Sequence, residues 1–116
     1  DTDIGAPPGP APVFAATTSR LLVLCGSLGL ELLLTGLAGA APHARGPARL
    51  RVVALGPVCS LPVAALDLRV AQGTRDRISR WGYAGPVHAR PGCDHLGYHR
   101  MPEVSELVTA AARGPW

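Results

Sequence analysis

The chain has 116 residues with eleven Arg, no Lys and eight acids, a formal net charge of +3, and 47% hydrophobic residues. That length allows one domain with a real core, and a mean hydropathy of +0.22 with 16% charged residues excludes the regime of intrinsic disorder. The arginines are spread rather than clustered and only five residues are aromatic, so nucleic acid is excluded as the first choice of partner.

Residues 1–19 (DTDIGAPPGPAPVFAATTS) form a Pro/Gly/Ala-rich segment that cannot make a long regular element; the folded domain is expected over 20–116. The opening has no Met, no basic n-region and no early apolar run. It therefore reads neither as a secretory signal nor as a natural start. Arg20–Cys25 is a largely apolar run, as expected of a strand buried on both faces of a parallel sheet. Leu28–Ala40 is apolar on nearly all sides and predicts a helix packed inside the protein. Taken together, Leu21–Ala41 is long enough to suggest a membrane span. Glu31 at its middle costs on the order of 3 kcal/mol in a bilayer, and Gly26-Ser27 with Gly29 break the run. Strand, sharp turn and buried helix is the better reading.

His43–Ala48 is a polar loop, and Leu50–Leu55 is a second strand closed by Gly56-Pro57. Residues 58–65 look irregular. Leu66–Ala71 alternates as a third strand, Asp76–Trp81 could make one or two helical turns, and Gly85–Ala89 is a fourth, weak strand. Pro102 opens a last helix whose stripe is Val104, Leu107, Val108 and Ala111, and Gly114 ends it. Strands alternating with helical segments predict an α/β fold, a mostly parallel sheet of about four strands with flanking helices. Cys25, Cys59 and Cys93 are odd in number and lack C-x-x-C spacing, so free thiols in a reducing, cytoplasmic compartment are expected rather than disulfides or structural zinc. Cys93 and His95 with the distant cysteines match no metal-ligand spacing; neither a metal nor another cofactor is expected.

The chemistry concentrates where the first strand meets the first helix. In Cys25-Gly26-Ser27-Leu28-Gly29, Ser27 sits at a tight corner with its hydroxyl clear of its neighbours, beneath a helix N-terminus whose N–H groups are free. An activated serine nucleophile needs such a position. The pentapeptide resembles the nucleophile elbow of the α/β-hydrolase family, G-x-S-x-G, with Cys25 in place of the first glycine. After the third strand, Gly73-Thr74-Arg75-Asp76-Arg77-Ile78-Ser79 is similar to the family's acid loop. Gly92-Cys93-Asp94-His95-Leu96-Gly97 is similar to its histidine loop, just before the last helix. The order Ser, acid, His is the family's own.

The resemblance implies a serine hydrolase or acyl-transfer enzyme acting on a small ester or thioester. Ser27 would be the nucleophile, His95 the general base and Asp76 the orienting acid, with the Leu28 N–H as one oxyanion donor. It covers about residues 20–113 and only the C-terminal half of the family fold. Asp3-Ile4-Gly5-Ala6-Pro7-Pro8 is similar to a D-x-x-G-x-S/P stretch, and no His-Gly or Gly-Gly loop precedes Ser27.

Other readings stand beside these. Taken alone, Ser27 is a turn residue, Asp76 a helix N-cap and His95 a surface loop histidine, as are His43, His88 and His99. Asp94 is the alternative acid. Cys25 reads as a small buried apolar residue, and Glu31 either faces the site or reaches out to solvent. Trp81 and Tyr83 are pocket walls or packing residues, and the arginines are solvated surface. A half-sheet would leave Arg20–Cys25 as an open edge, an invitation to a homo-oligomer or a complementing chain. The alternative function is therefore a non-catalytic interaction protein or degenerate hydrolase that pairs through this edge.

Overall fold

A computed structural model describes residues 20–40 and 49–116. The expectations for residues 1–19 and for His43–Ala48 lie outside the described residues. Three aliphatic runs become strands, β1 (Arg20–Gly26), β2 (Arg49–Leu55) and β3 (Asp67–Ala71). All pair in parallel, in the order β1-β2-β3, with Val23 opposite Val52 and Val52 opposite Leu68. Helix α1 (Gly29–Ala40) follows β1, the short α2 (Arg77–Gly82) follows β3, and α3 (Pro102–Arg113) closes the chain after a 3-10 turn at Tyr98–Arg100.

Strand alternation sends side chains to two faces, and a helix covers each. On one face Leu30 and Leu33 of α1 pack with Val52, Ala54, Leu68 and Val70, with Val23 and Cys25 against them. On the other, Val104, Leu107 and Val108 of α3 pack with Leu55, Ala71 and Tyr98. The fold is thus α/β with both sheet faces covered. α3 follows its sequence signals closely, with Pro102 in its first turn and Gly114 as its C-cap.

The structure corrects three expectations. Among the described residues the sheet has three strands, not four. At Gly85–Ala89 only the single parallel bridge Ala71–Ala89 forms. The His88 and Ala89 N–H groups both donate to Val70 O, at 2.8 and 3.1 Å. The Val70 N–H goes to His88 Nδ1 at 2.9 Å, where a ladder would supply a carbonyl. Burial, then the nearby Arg69, lower the His88 pKa, which suits a neutral ring that accepts this proton. Pro86 and Pro91 offer no N–H with which to extend the pairing.

Second, α1 is buried on one face, not all round. Leu30 and Leu33 face the sheet, whereas Leu28 just before it and Leu32 one turn on point outward, Leu32 being 69% exposed. The sheet beneath is narrow, and among the described residues β1 is its edge. Third, Arg51 is buried rather than solvated. It donates to Asp67 at 2.8 Å, to Ala111 O at 2.9 Å and to Pro115 O at 2.6 Å, and stacks 4.5 Å from the Trp116 ring centroid. His88 is an exposed loop histidine as expected, and its ring also accepts the Val70 N–H. The long apolar run from Leu21 is divided by the turn at Ser27-Leu28, and among the described residues no helix is long and apolar enough to cross a membrane.

Candidate functional site

The carboxyl ends of the three strands converge on Ser27, Asp76 and His95. β1 ends at Gly26 and α1 begins at Gly29, so the chain reverses within two residues. Ser27 takes a positive φ of 50°, left-handed backbone that is rare for a residue with a side chain. The surroundings hold it there: its N–H donates to Leu55 O at 3.2 Å and its carbonyl accepts from Val58 N at 2.9 Å. The same corner explains Gly29 and Cys25. A Cβ at Gly29 would lie 3.1 Å from Cys25 Cβ, so only small residues let the helix close onto the strand. Leu28, the proposed oxyanion donor, precedes the helix, where geometry provides no intrahelical partner for the first amides.

Asp76 follows β3 and is fully buried. It caps α2, its Oδ1 accepting the Ser79 N–H at 3.0 Å, so the N-cap reading describes this carboxylate correctly. The carboxylate also meets His95 Nδ1, at 3.0 Å from Oδ1 and 2.9 Å from Oδ2. The Tyr98 hydroxyl donates to Oδ2 at 2.5 Å. Space for this crowding comes from Gly56, at φ 55°, where a Cβ would fall 2.5 Å from Asp76 Oδ2 and 2.7 Å from the Tyr98 hydroxyl. Burial pushes the Asp76 carboxyl up, but hydrogen bonds from Ser79, Tyr98 and His95 outweigh it and hold the group below the usual carboxylate range.

His95 Nε2 lies 3.1 Å from Ser27 Oγ. A carboxylate only accepts, so Nδ1 carries the proton shared with Asp76. In the neutral imidazole, Nε2 is then free to accept the Ser27 hydroxyl proton. Ser27 opens into a cleft of about 380 Å³ whose walls include Leu55, His95, Leu96 and His99. Asp94, the alternative acid, accepts the Leu96 N–H at 3.1 Å and shapes the loop; the carboxylate bonded to His95 is that of Asp76. Burial, and then Cys59, push the Cys25 thiol up to about 11, in keeping with a partly buried packing residue.

Elsewhere the expectations resolve differently. Glu31 accepts the Ser60 N–H at 2.9 Å and its hydroxyl at 3.0 Å, tying α1 to the loop after β2. Trp81 is 96% exposed and no wall of the Ser27 cleft; Tyr83 is buried and donates to Pro86 O at 2.8 Å. Sequence reasoning missed Tyr98 and Gly56. A tyrosine three residues after His95 in an otherwise polar loop was the one available signal, since a buried phenol needs a partner. No family model matches the chain, and neither a curated protein nor a solved structure matches it.

Proposed function

We propose that the chain is a serine hydrolase or acyl-transfer enzyme acting on an ester or thioester through Ser27, His95 and Asp76, with a site resembling that of the α/β-hydrolases. One observation carries this reading. A continuous hydrogen-bond chain runs from Ser27 Oγ through both ring nitrogens of His95 to a buried carboxylate.

In the first step Ser27 Oγ attacks the acyl carbon while His95 Nε2 takes the hydroxyl proton. The electron pair of the carbonyl moves to its oxygen, which the Leu28 N–H stabilises. Collapse of this intermediate re-forms the carbonyl and expels the alkoxide or thiolate, which takes the proton back from His95. Water, deprotonated by the same imidazole, then attacks the acyl carbon, and as that intermediate collapses Ser27 Oγ leaves and takes the proton back from His95. Throughout, Asp76 orients the ring and offsets the imidazolium charge. The three free thiols fit work in a reducing compartment such as the cytoplasm.

A fluorophosphonate probe tests the proposal. The wild-type protein is expected to be labelled and Ser27→Ala not; a folded wild-type protein that resists labelling contradicts it. The second reading, an interaction protein, is supported by β1, which among the described residues pairs only with β2 and carries the exposed Leu24. It expects a dimer or heteromer by analytical ultracentrifugation, and a labelled, stable monomer removes it.

A further inference from the structure

The third donor to the Asp76 carboxylate is not needed by the reaction just described, and it is held in place at both ends. The Tyr98 hydroxyl accepts the Gly73 N–H at 2.8 Å and lies 2.5 Å from Asp76 Oδ2. An amide N–H only donates and a carboxylate only accepts, so the single phenolic proton is committed to Asp76. Burial, then the bond to Asp76, push the Tyr98 hydroxyl well above the ordinary phenol range, which keeps that proton in place. Tyr98 opens the 3-10 turn three residues after His95, so one loop delivers both imidazole and phenol to one carboxylate.

We propose that Tyr98 is a positioning residue for the Ser27 reaction, one that fixes the plane of the Asp76 carboxylate so that it meets His95 Nδ1. The Ser79 N–H anchors Oδ1 and Tyr98 anchors Oδ2, which together stop rotation of the carboxylate about its Cβ–Cγ bond. His95 Nδ1 sits almost equally far from the two oxygens, and that approach lasts only while the plane is fixed. Removing the hydroxyl frees one oxygen and leaves the Gly73 N–H without its acceptor. The ring would then lose the fixed partner that sets its tautomer.

This role rests on the acyl-transfer reading, and the experiment separates the two. In the full chain, Tyr98→Phe is expected to lower the maximal rate of fluorophosphonate inactivation about 10- to 100-fold, as loss of a hydrogen bond to a charged group implies. The concentration giving half-maximal inactivation should change less than about twofold, because Tyr98 is asked to act through His95 and not on binding. The low-field proton resonance of His95 Nδ1–H, read with labelled histidine, should broaden or vanish. Should Tyr98→Phe fail to fold, site-specific 3-fluorotyrosine at position 98 keeps the bond but changes the donor, and should move that resonance. A labelled wild type with an unchanged rate and resonance in Tyr98→Phe overturns the positioning role alone. An unlabelled wild type overturns the acyl-transfer reading, and the role of Tyr98 in it falls too.

Discussion

The two halves of the site are built differently. Asp76 and His95 are held largely by side chains, with the Ser79 N–H as a backbone donor to the carboxylate. Asp76 is fully buried with three donors, and Ser79 is tied back to Pro57 O at 2.7 Å and to Gln72 at 3.2 Å. The proposed nucleophile, Ser27, is held by backbone at the rim of the sheet. Ser27 follows the strand that is the sheet edge among the described residues, is fixed through Leu55 and Val58, and is followed by the exposed Leu28. Asp76 and His95 are thus fixed around a buried carboxylate, where unpaired polar atoms are costly, while Ser27, the proposed attacking group, relies on backbone bonds to Leu55 and Val58.

Substitutions can break that contrast from its strong side. Asp76→Asn should slow fluorophosphonate inactivation by about 10³- to 10⁴-fold, because an amide donor presents the wrong partner to His95 Nδ1. The inactivation rate constant checks this. Gly56→Ala should cost about 2–4 kcal/mol by urea denaturation, since its Cβ collides with the acid and its positive φ is strained.

Acid should act on the same half. A carboxylate whose pKa is depressed by folding adds stability above its unfolded value of about 3.9, and that stability is lost as pH falls through the folded value. Asp67, which burial raises but the bonds from Arg51 and Arg69 hold low, adds to the loss through the same sign. Tm should therefore drop below about pH 4, with a shallower drop in Asp76→Asn, as measured by calorimetry across pH. The smallest effect belongs to the other half: Leu32→Ser, on the outward face of α1, should alter stability by less than about 0.5 kcal/mol in the same denaturation assay.

Much of this arrangement was legible before the structure. Pro102, the apolar stripe and Gly114 delimit α3 because each acts within a few residues of itself. Ser27 and Asp76 could be placed just after strands for the same local reason, whereas His95 was singled out by the resemblance, since the run before it forms no strand. What could not be read depends on partners distant in sequence. Arg51 is buried because the parallel register sets it opposite Asp67 and under the C-terminal carbonyls, and its own strand carries no trace of that. The fourth strand failed because a His88 side chain replaced a backbone acceptor. Tyr98 escaped notice because its partners, Gly73 and Asp76, come together only when two loops close on each other.

The central claim is that Ser27, His95 and Asp76 act as one unit, and a double-mutant cycle tests it most directly. Fluorophosphonate inactivation rates would be compared for wild type, His95→Ala, Asp76→Asn and the double variant. If Asp76 works only through His95, the double variant should be no slower than His95→Ala, within about twofold, as residues acting together are strongly non-additive. Losses that multiply would mean that the two residues contribute independently, and would contradict the account.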